Sequence, residues 1–166
     1  NMNDKLNQVL KKQKSQVMDP SEKEREEIVQ LVGFIVGDEE YAIPILNIQE
    51  IIKPIEYTRV PSVPDYVLGV FNLRGSVIPL IDLRKKFSLN AAKPSPSTRY
   101  IVMKEGDNVA GFVIDRLTEA IRIQQNRIDP PPETLLKDKG MIYGIGKRDN
   151  NILTILKVET LLKRDF

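Results

Sequence analysis

The sequence predicts an all-β protein in which two small β-barrels pack against each other. From Ile28 onward, short apolar runs alternate with turn-forming residues, which is typical of many short strands. Four pairs of these runs flank short polar connections and therefore indicate β-hairpins, with the connections at residues 37–40, 72–76, 104–108 and 146–151. Apolar runs with helical spacing are scarce, so little helix is expected.

The hairpin pattern occurs twice along the chain. Gly69-Val70 and Gly144-Ile145 stand 75 positions apart, and the same offset aligns the apolar residues of 77–83 with those of 152–158. One five-strand unit alone would expose an apolar face, whereas two units packed together bury it. We therefore expect a quasi-duplicated chain with one barrel for each repeat.

The repeat is less regular earlier in each half. Tyr41-Ala42-Ile43 resembles Phe112-Val113-Ile114, and each half then reaches a proline-bearing segment, at 61–64 and at 130–132. The offset between the halves changes by a few residues there. The alignment of the first strands is therefore an expectation that depends on the fold.

A polar N-terminal extension, one segment that fits a helix or a turn, and a short C-terminal helix complete the predicted organisation. Residues 1–27 form an N-terminal extension that is flexible or weakly helical, and 28–166 form the domain. Pro44 to Ile52 fits either a short helix or a turn that leads into a strand, and Val158 to Arg164 predicts a short C-terminal helix. The aliphatic residues of the extension have helix-like spacing: Leu6, Val9, Leu10 and Val17.

Composition removes most classes of enzyme. The chain has no cysteine and no histidine, which excludes disulfides, thiolate nucleophiles and the commonest transition-metal ligands. A net charge of +2 gives no reason to expect a polyanionic partner. No apolar run approaches the roughly 20 residues of a membrane helix. We therefore expect a cytoplasmic protein without cofactor, metal or membrane insertion.

Carboxylates are the remaining candidates for catalysis. Asp82 and Asp115 each follow an apolar strand, at roughly corresponding places in the two halves, and could form an acid and base pair. The alternative is that they cap turns or form ion pairs with Arg84 and Arg116. The residues favour the alternative, because Lys157 stands where the 75-residue offset would place the counterpart of Asp82.

Three other patterns have ordinary structural explanations. Gly144 to Lys147 lacks the spacer and the hydroxyl residue of a phosphate-binding loop, so a hairpin bend is expected there. Asp38-Glu39-Glu40 lacks the ligand spacing of a calcium loop and predicts a solvated turn. Lys85-Lys86, with Tyr100 and Tyr143, could supply charge and stacking to a nucleic acid, and this is retained as an alternative from another functional class.

The turn Asn72-Leu73-Arg74-Gly75 can project an arginine from a stiff hairpin. Asn72 and Gly75 both tolerate positive φ, and a guanidinium can bind a carboxylate or two carbonyl groups in a bidentate manner. From the residues alone, a solvated arginine or an intramolecular salt bridge is the better explanation. The counterpart turn at 146–151 is expected to be longer and differently charged.

The stretch from Pro61 to Arg84, PSVPDYVLGVFNLRGSVIPLIDLR, resembles the signature of the CheW family. Residues 37–43, 111–115 and 144–147 fit the same resemblance, which covers about 28–166. It implies two intertwined five-stranded SH3-like barrels and a non-catalytic scaffold. This scaffold would couple the cytoplasmic tips of methyl-accepting chemoreceptors to the regulatory domain of the histidine kinase CheA, in membrane-associated arrays that include other CheW-like domains.

The resemblance also implies site residues. Those at receptor-binding positions are Arg74, Asn72, Ile48, Glu50 and Gly111, and the one at a kinase-binding position is Gly69. Further kinase contacts are expected on the apolar rim of the first barrel. The coupling domain of a receiver-containing relative, or of a twitching-motility pathway, is the alternative within the same class.

Overall fold

The computed structural model describes Asn3, Leu6 and residues 27–133 and 140–164. Asn3 and Leu6 are helical. The predicted character of the 1–27 extension otherwise falls outside the described residues. The division of the chain at residue 28 stays a prediction.

Residues 27–133 and 140–164 contain ten strands, two short α-helices and two 3₁₀ turns. The strands are β1 Ile28–Val36, β2 Glu39–Pro44, β3 Ile48–Ile52, β4 Val67–Leu73, β5 Ser76–Asp82, β6 Arg99–Glu105, β7 Asn108–Ile114, β8 Arg116–Gln124, β9 Ile142–Arg148 and β10 Asn151–Leu156. The α-helices are α1 Leu83–Lys86 and α2 Val158–Leu161, and the 3₁₀ turns are Ile45–Asn47 and Gln125–Arg127.

The strands form two five-stranded sheets that exchange hairpins. One sheet has the order β3-β6-β7-β5-β4, and we call it the first barrel; the other has the order β8-β1-β2-β10-β9, and we call it the second barrel. Each barrel combines the first hairpin of one half with the last three strands of the other half. The predicted pair of intertwined five-stranded barrels is therefore confirmed.

All four predicted hairpins are present, and each has a two-residue loop. Arg74-Gly75 and Asp149-Asn150 have positive φ at both residues, which is the type I′ conformation that suits the twist of a hairpin. The expectation that the second of these turns is longer was wrong. Its polar flanking residues belong to the strands, and only Asp149-Asn150 form the loop.

The 75-residue offset holds for the last two strands of each half. Thr58 bridges to Val70 beside β4, and Asp129 bridges to Ile145 beside β9, so the two proline-bearing segments have equivalent positions. The alignment of Tyr41-Ala42-Ile43 with Phe112-Val113-Ile114 was wrong by two residues.

The strand register shows the correct alignment. Ala42 pairs with Ile155, and Gly111 pairs with Leu80, the residue 75 positions before Ile155. Ala42 is therefore the counterpart of Gly111. A slip of two residues preserves the alternation of faces, so the apolar pattern alone cannot detect it.

The largest apolar cluster lies between the barrels. It contains buried residues from both sheets and from α2, among them Phe34, Ile43, Phe112 and Leu161. Each barrel also has a smaller apolar cluster of its own. The cluster of the second barrel surrounds Leu31, and the cluster of the first barrel consists of apolar residues that do not belong to the shared one. Because the larger cluster is shared, the two barrels form one rigid unit.

The helices differ in detail from the prediction. The C-terminal helix is confirmed with Leu161 and Leu162 buried, but it ends at Leu161 and not at Arg164. Pro44 to Ile52 is a 3₁₀ turn that leads into β3, which was one of the two alternatives. Helix α1 was not predicted, because four residues are too few to show a helical period.

A candidate partner-binding face on the first barrel

The β4–β5 turn presents Arg74 to solvent. The backbone N–H of Gly75 donates to Asn72 Oδ1 at 3.1 Å, and Arg74 has a φ of 50°. The turn is thus fixed by the side chain of Asn72 and by the two paired strands. The Arg74 side chain is 75% exposed.

Glu50 on β3 holds the Arg74 guanidinium in a bidentate pair. Arg74 Nε donates to Glu50 Oε2 at 3.1 Å and Nη2 donates to Oε1 at 2.6 Å. The hydrogen bonds from Arg74 lower the pKa of Glu50. An intramolecular salt bridge, which was one of the two ordinary explanations for Arg74, is therefore present. It joins the two edge strands of the first barrel and leaves the Nη1 side of the guanidinium without a hydrogen bond among the described residues.

The other predicted site residues fall into two groups. Asn72 is exposed near the end of β4, and Ile48 lies on β3, partly buried against the shared core. Gly69 and Gly111 are buried, so a partner cannot reach them. A Cβ at Gly111 would lie 2.7 Å from the ring of Phe71, so this glycine lets the ring pack against β7.

An exposed apolar turn lies next to this face and was missed by the sequence analysis. Ile45 and Leu46 form the 3₁₀ turn that leads into β3, and Leu46 is 95% exposed. A shallow cleft beside them is lined by Leu46 to Gln49 and Lys104 to Gly106. The signal available in the sequence was an apolar pair directly after Pro44, in a segment too short to form a buried helix.

The second barrel has a similar arginine that is much less exposed than Arg74. Arg148 directly precedes the Asp149-Asn150 turn. It pairs with Glu119 on β8, the counterpart of β3, and its Nη1 donates to Glu40 Oε2 at 2.7 Å. The Arg148 side chain is only 22% exposed. Two carboxylates pair with Arg148 and cover most of its side chain, whereas Arg74 pairs with one carboxylate and stays largely exposed.

Asp82 and Asp115 are structural residues. Asp82 caps α1, since its Oδ1 accepts from the backbone N–H of Arg84 at 2.9 Å. Asp115 accepts two hydrogen bonds from Arg84, at 2.9 and 2.6 Å, and one from the backbone N–H of Gly37 at 2.8 Å. Burial by itself raises the pKa of Asp115, but the bonds from Arg84 and Gly37 outweigh burial and lower it. The carboxylate thereby joins the first barrel to the β1–β2 turn of the second.

Replacing Asp115 with asparagine should lower the free energy of unfolding by about 1–3 kcal/mol at pH 7, because charge-assisted bonds to Arg84 are lost. Since the folded-state pKa is lowered, this contribution is present above the unfolded-state pKa and disappears as the pH falls through the folded-state value. Urea unfolding between pH 7 and pH about 3 should therefore show the two proteins converging in acid. Asp107→Asn, in an exposed turn, is the control, and a pH-independent difference for Asp115→Asn would contradict this explanation.

Two features of the remaining alternatives are contradicted by the described residues, namely the bend at 144–147 and base stacking by Tyr100. Gly144 to Lys147 lies within strand β9, so the expected hairpin bend was wrong and no phosphate-binding loop is formed. Tyr100 is buried with its hydroxyl donating to the Ile55 carbonyl, so it cannot stack on a base. Residues 27–133 and 140–164 contain no cluster of three or more acidic residues suited to a metal ion. No described helix is long and apolar enough to cross a membrane.

Comparison with known proteins identifies the family. The model of the CheW-like domain matches residues 30–166. The chain belongs to the CheW family. It is 57% identical over 165 residues to the chemotaxis protein CheW of Helicobacter pylori, which covers 99% of this chain and 100% of that protein. It is 35% identical to CheW of Bacillus subtilis, over 81% of this chain and 87% of that protein.

A solved CheW structure agrees with the fold. The scaffolding protein TtCheW from Thermoanaerobacter tengcongensis superposes with a TM-score of 0.77 at 32% identity, over 84% of this chain and 95% of that chain. The named relatives and this scaffolding protein confirm the prediction that this CheW-family chain is a non-catalytic adaptor in chemotaxis.

Proposed function

We propose that this protein couples methyl-accepting chemoreceptors to the histidine kinase CheA. The observation that carries the proposal is Arg74, which is exposed, charged and fixed in position by Glu50 and by a type I′ turn. An arginine held in this way loses little conformational entropy when it binds, so its charge-assisted bonds contribute more to affinity.

The receptor-binding surface in this proposal is the face formed by Arg74, Asn72, Glu50 and Ile48. The free side of the Arg74 guanidinium can donate to a carboxylate or to carbonyl groups at the tip of a receptor. Ile48 and the Asn72 amide supply apolar and polar contacts beside it. Gly111 contributes indirectly, because its missing side chain lets Phe71 pack beneath the strand that carries the turn.

The kinase-binding surface in this proposal is the apolar turn Ile45–Leu46 with its neighbouring cleft. A leucine that is 95% exposed on a short 3₁₀ turn buries almost no apolar surface within its own fold, and it can be an anchor in a protein interface. Gly69 has a supporting role, since it lets the segment at Thr58 approach β4 on the same barrel.

Both surfaces border β3, so a receptor and a kinase would bind to one rigid barrel. A change in receptor packing could then alter the position of the kinase without any change in the fold of the adaptor. The protein would act in the cytoplasm and would be recruited to receptor arrays at the membrane. The coupling domain of a receiver-containing relative or of a twitching-motility pathway would use the same surfaces.

Replacing Arg74 with alanine should weaken binding to a soluble receptor cytoplasmic fragment by about tenfold or more, and Arg74→Asp should weaken it further. The affinity for the CheA regulatory domain should stay unchanged. Isothermal titration calorimetry with each partner separately measures both effects.

Asp149→Ala is the matched control. It places alanine at the equivalent position of the type I′ turn of the second barrel, so both variants have an alanine with positive φ. The control should bind the receptor fragment normally. Wild-type affinity of Arg74→Asp for the receptor fragment would show that this face is not the receptor site.

A further inference from the structure

A cleft with an excess of positive charge lies on the second barrel. Its volume is about 570 Å³, within the range of roughly 300–1,000 Å³ that is usual for small-molecule sites. Among the described residues, its lining has three cations, Arg122, Arg127 and Lys147, and one carboxylate, Asp129. Three cations less one carboxylate leave an excess of two positive charges, which equals the net charge of +2 of the whole chain.

Three elements bring these cations to one cleft. Arg122 is exposed on β8, Arg127 ends the 3₁₀ turn that follows β8, and Lys147 is exposed on β9. Strands β8 and β9 are the edge strands of the second barrel. They come close together where Gly146 meets Ile123, since a Cβ at Gly146 would lie 2.8 Å from Ile123 Cδ1. This close contact places the cations of both strands beside each other.

The backbone is fixed on both sides of Arg127. The Gln125 N–H donates to the Glu27 carbonyl at 2.9 Å, and Asp129 exchanges two hydrogen bonds of 2.8 Å with Ile145 on β9. The cleft therefore has a rigid base, and only the long cationic side chains need to become ordered when a ligand binds. A site organised in this way loses less entropy on binding.

The three cleft cations have no carboxylate within 4.0 Å in the described part of the chain. Asp129 lines the same cleft and pairs with none of them. By contrast, Arg74, Arg84 and Arg148 each pair with a carboxylate. A guanidinium without an internal partner can use its full set of donors for an external anion.

The barrel architecture does not require these charges. The bridges beside β4 and β9 are equivalent, and two positions before the bridging residue stand Glu56 in the first barrel and Arg127 in the second. The 75-residue offset places Asn72 at the position of Lys147. The first barrel therefore forms with a carboxylate and an amide where the second barrel has two cations.

We propose that this cleft binds a small molecule with two or more phosphate groups, such as a nucleoside triphosphate or tripolyphosphate. The planar fork of an arginine donates two parallel hydrogen bonds to a phosphate, and two arginines with a lysine suit the several charges of a short phosphate chain. Side chains bind the phosphates here, and no glycine-rich loop is involved. The cleft shares no residue with the surfaces proposed for the receptor and the kinase.

Isothermal titration calorimetry of the full chain with tripolyphosphate and with ATP, at low ionic strength, tests the site. Arg122→Gln/Arg127→Gln should weaken the binding of both compounds by at least about tenfold, because two bidentate donors are lost. Arg59→Gln/Lys93→Gln is the matched control. It removes two positive charges from exposed residues outside the cleft and should bind both compounds as the wild type does.

The two compounds also distinguish the source of the phosphates. Tighter binding of ATP than of tripolyphosphate identifies a nucleotide as the ligand, whereas equal binding identifies the phosphate chain alone. Either result supports the site when Arg122→Gln/Arg127→Gln abolishes or weakens it and the control does not.

Two results would overturn the proposal. One is that the wild type binds neither compound, or binds them no more tightly than Arg122→Gln/Arg127→Gln does. The other is that a poly-glutamate peptide binds more tightly than tripolyphosphate, because this would assign the cleft to an acidic segment of a protein.

Discussion

Replacing Phe112 with alanine should lower the free energy of unfolding by about 3–5 kcal/mol, which is the expected cost of a large cavity in a core. Phe112 is fully buried on β7, where it pairs with Ile101 on β6 and Ile81 on β5. It belongs to the apolar cluster that the two barrels share. The cavity would therefore weaken the contact between the barrels as well as the first barrel itself. Denaturant unfolding followed by circular dichroism measures the change.

Val77→Ala is the control for this prediction. Val77 lies on the neighbouring strand β5 but is 65% exposed, so its truncation should cost no more than about 0.5 kcal/mol. If Phe112→Ala were as stable as Val77→Ala, the shared cluster would not be the main source of stability. Separate unfolding transitions for the two barrels would contradict the single rigid unit.

Replacing Gly69 with alanine should cost about 2–4 kcal/mol, because of backbone strain and overpacking. A Cβ at this position would lie 2.1 Å from the backbone oxygen of Thr58. Backbone cannot move aside as a flexible side chain can, so the two 2.8 Å hydrogen bonds between Thr58 and Val70 would break. Denaturant unfolding gives the loss of stability, and hydrogen exchange at the Val70 amide shows where it occurs.

Gly106→Ala is the control that separates the cost of the steric clash with Thr58 from the cost of a positive φ. Gly106 also has a positive φ, of 60°, but a Cβ there meets nothing within 4 Å. Its replacement should cost only about 1–2 kcal/mol, for the left-handed conformation. Equal stability of the two variants would refute the close approach at Thr58. A partner that binds folded Gly69→Ala as tightly as wild type would limit Gly69 to a role in stability.

The hairpins were predictable because their signals are local. Turn-forming residues lie between alternating apolar positions, and this pattern predicts hairpins. The two-residue length of the loops was not predicted, because the polar residues that flank each loop belong to the strands. The repeat was predictable for β4, β5, β9 and β10 because no insertion separates them. The predicted alignment of β2 with β7 was wrong by two residues. The register of these strands depends on how Ala42 and Gly111 pair with other strands, which the sequence does not show.

The candidate site was predictable in part. The turn residues around Arg74 indicated an exposed arginine. No feature of the neighbouring sequence indicated that Glu50, 24 residues earlier in the chain, pairs with it. Arg148 was missed for the same reason, since Glu40 is 108 residues away and meets it only after the barrel closes. Leu46 was missed because an apolar residue after a short turn is expected to be buried, and its exposure depends on tertiary packing.

Co-sedimentation of the CheA kinase with membranes that contain chemoreceptors tests the coupling function most directly. We expect the kinase to sediment with receptor membranes when the wild-type protein is present, and to stay in the supernatant without the protein or with Arg74→Asp. Asp149→Ala should support sedimentation as the wild type does. If the kinase sedimented equally well without this protein, or with Arg74→Asp in its place, the proposed coupling through the Arg74 face would be wrong.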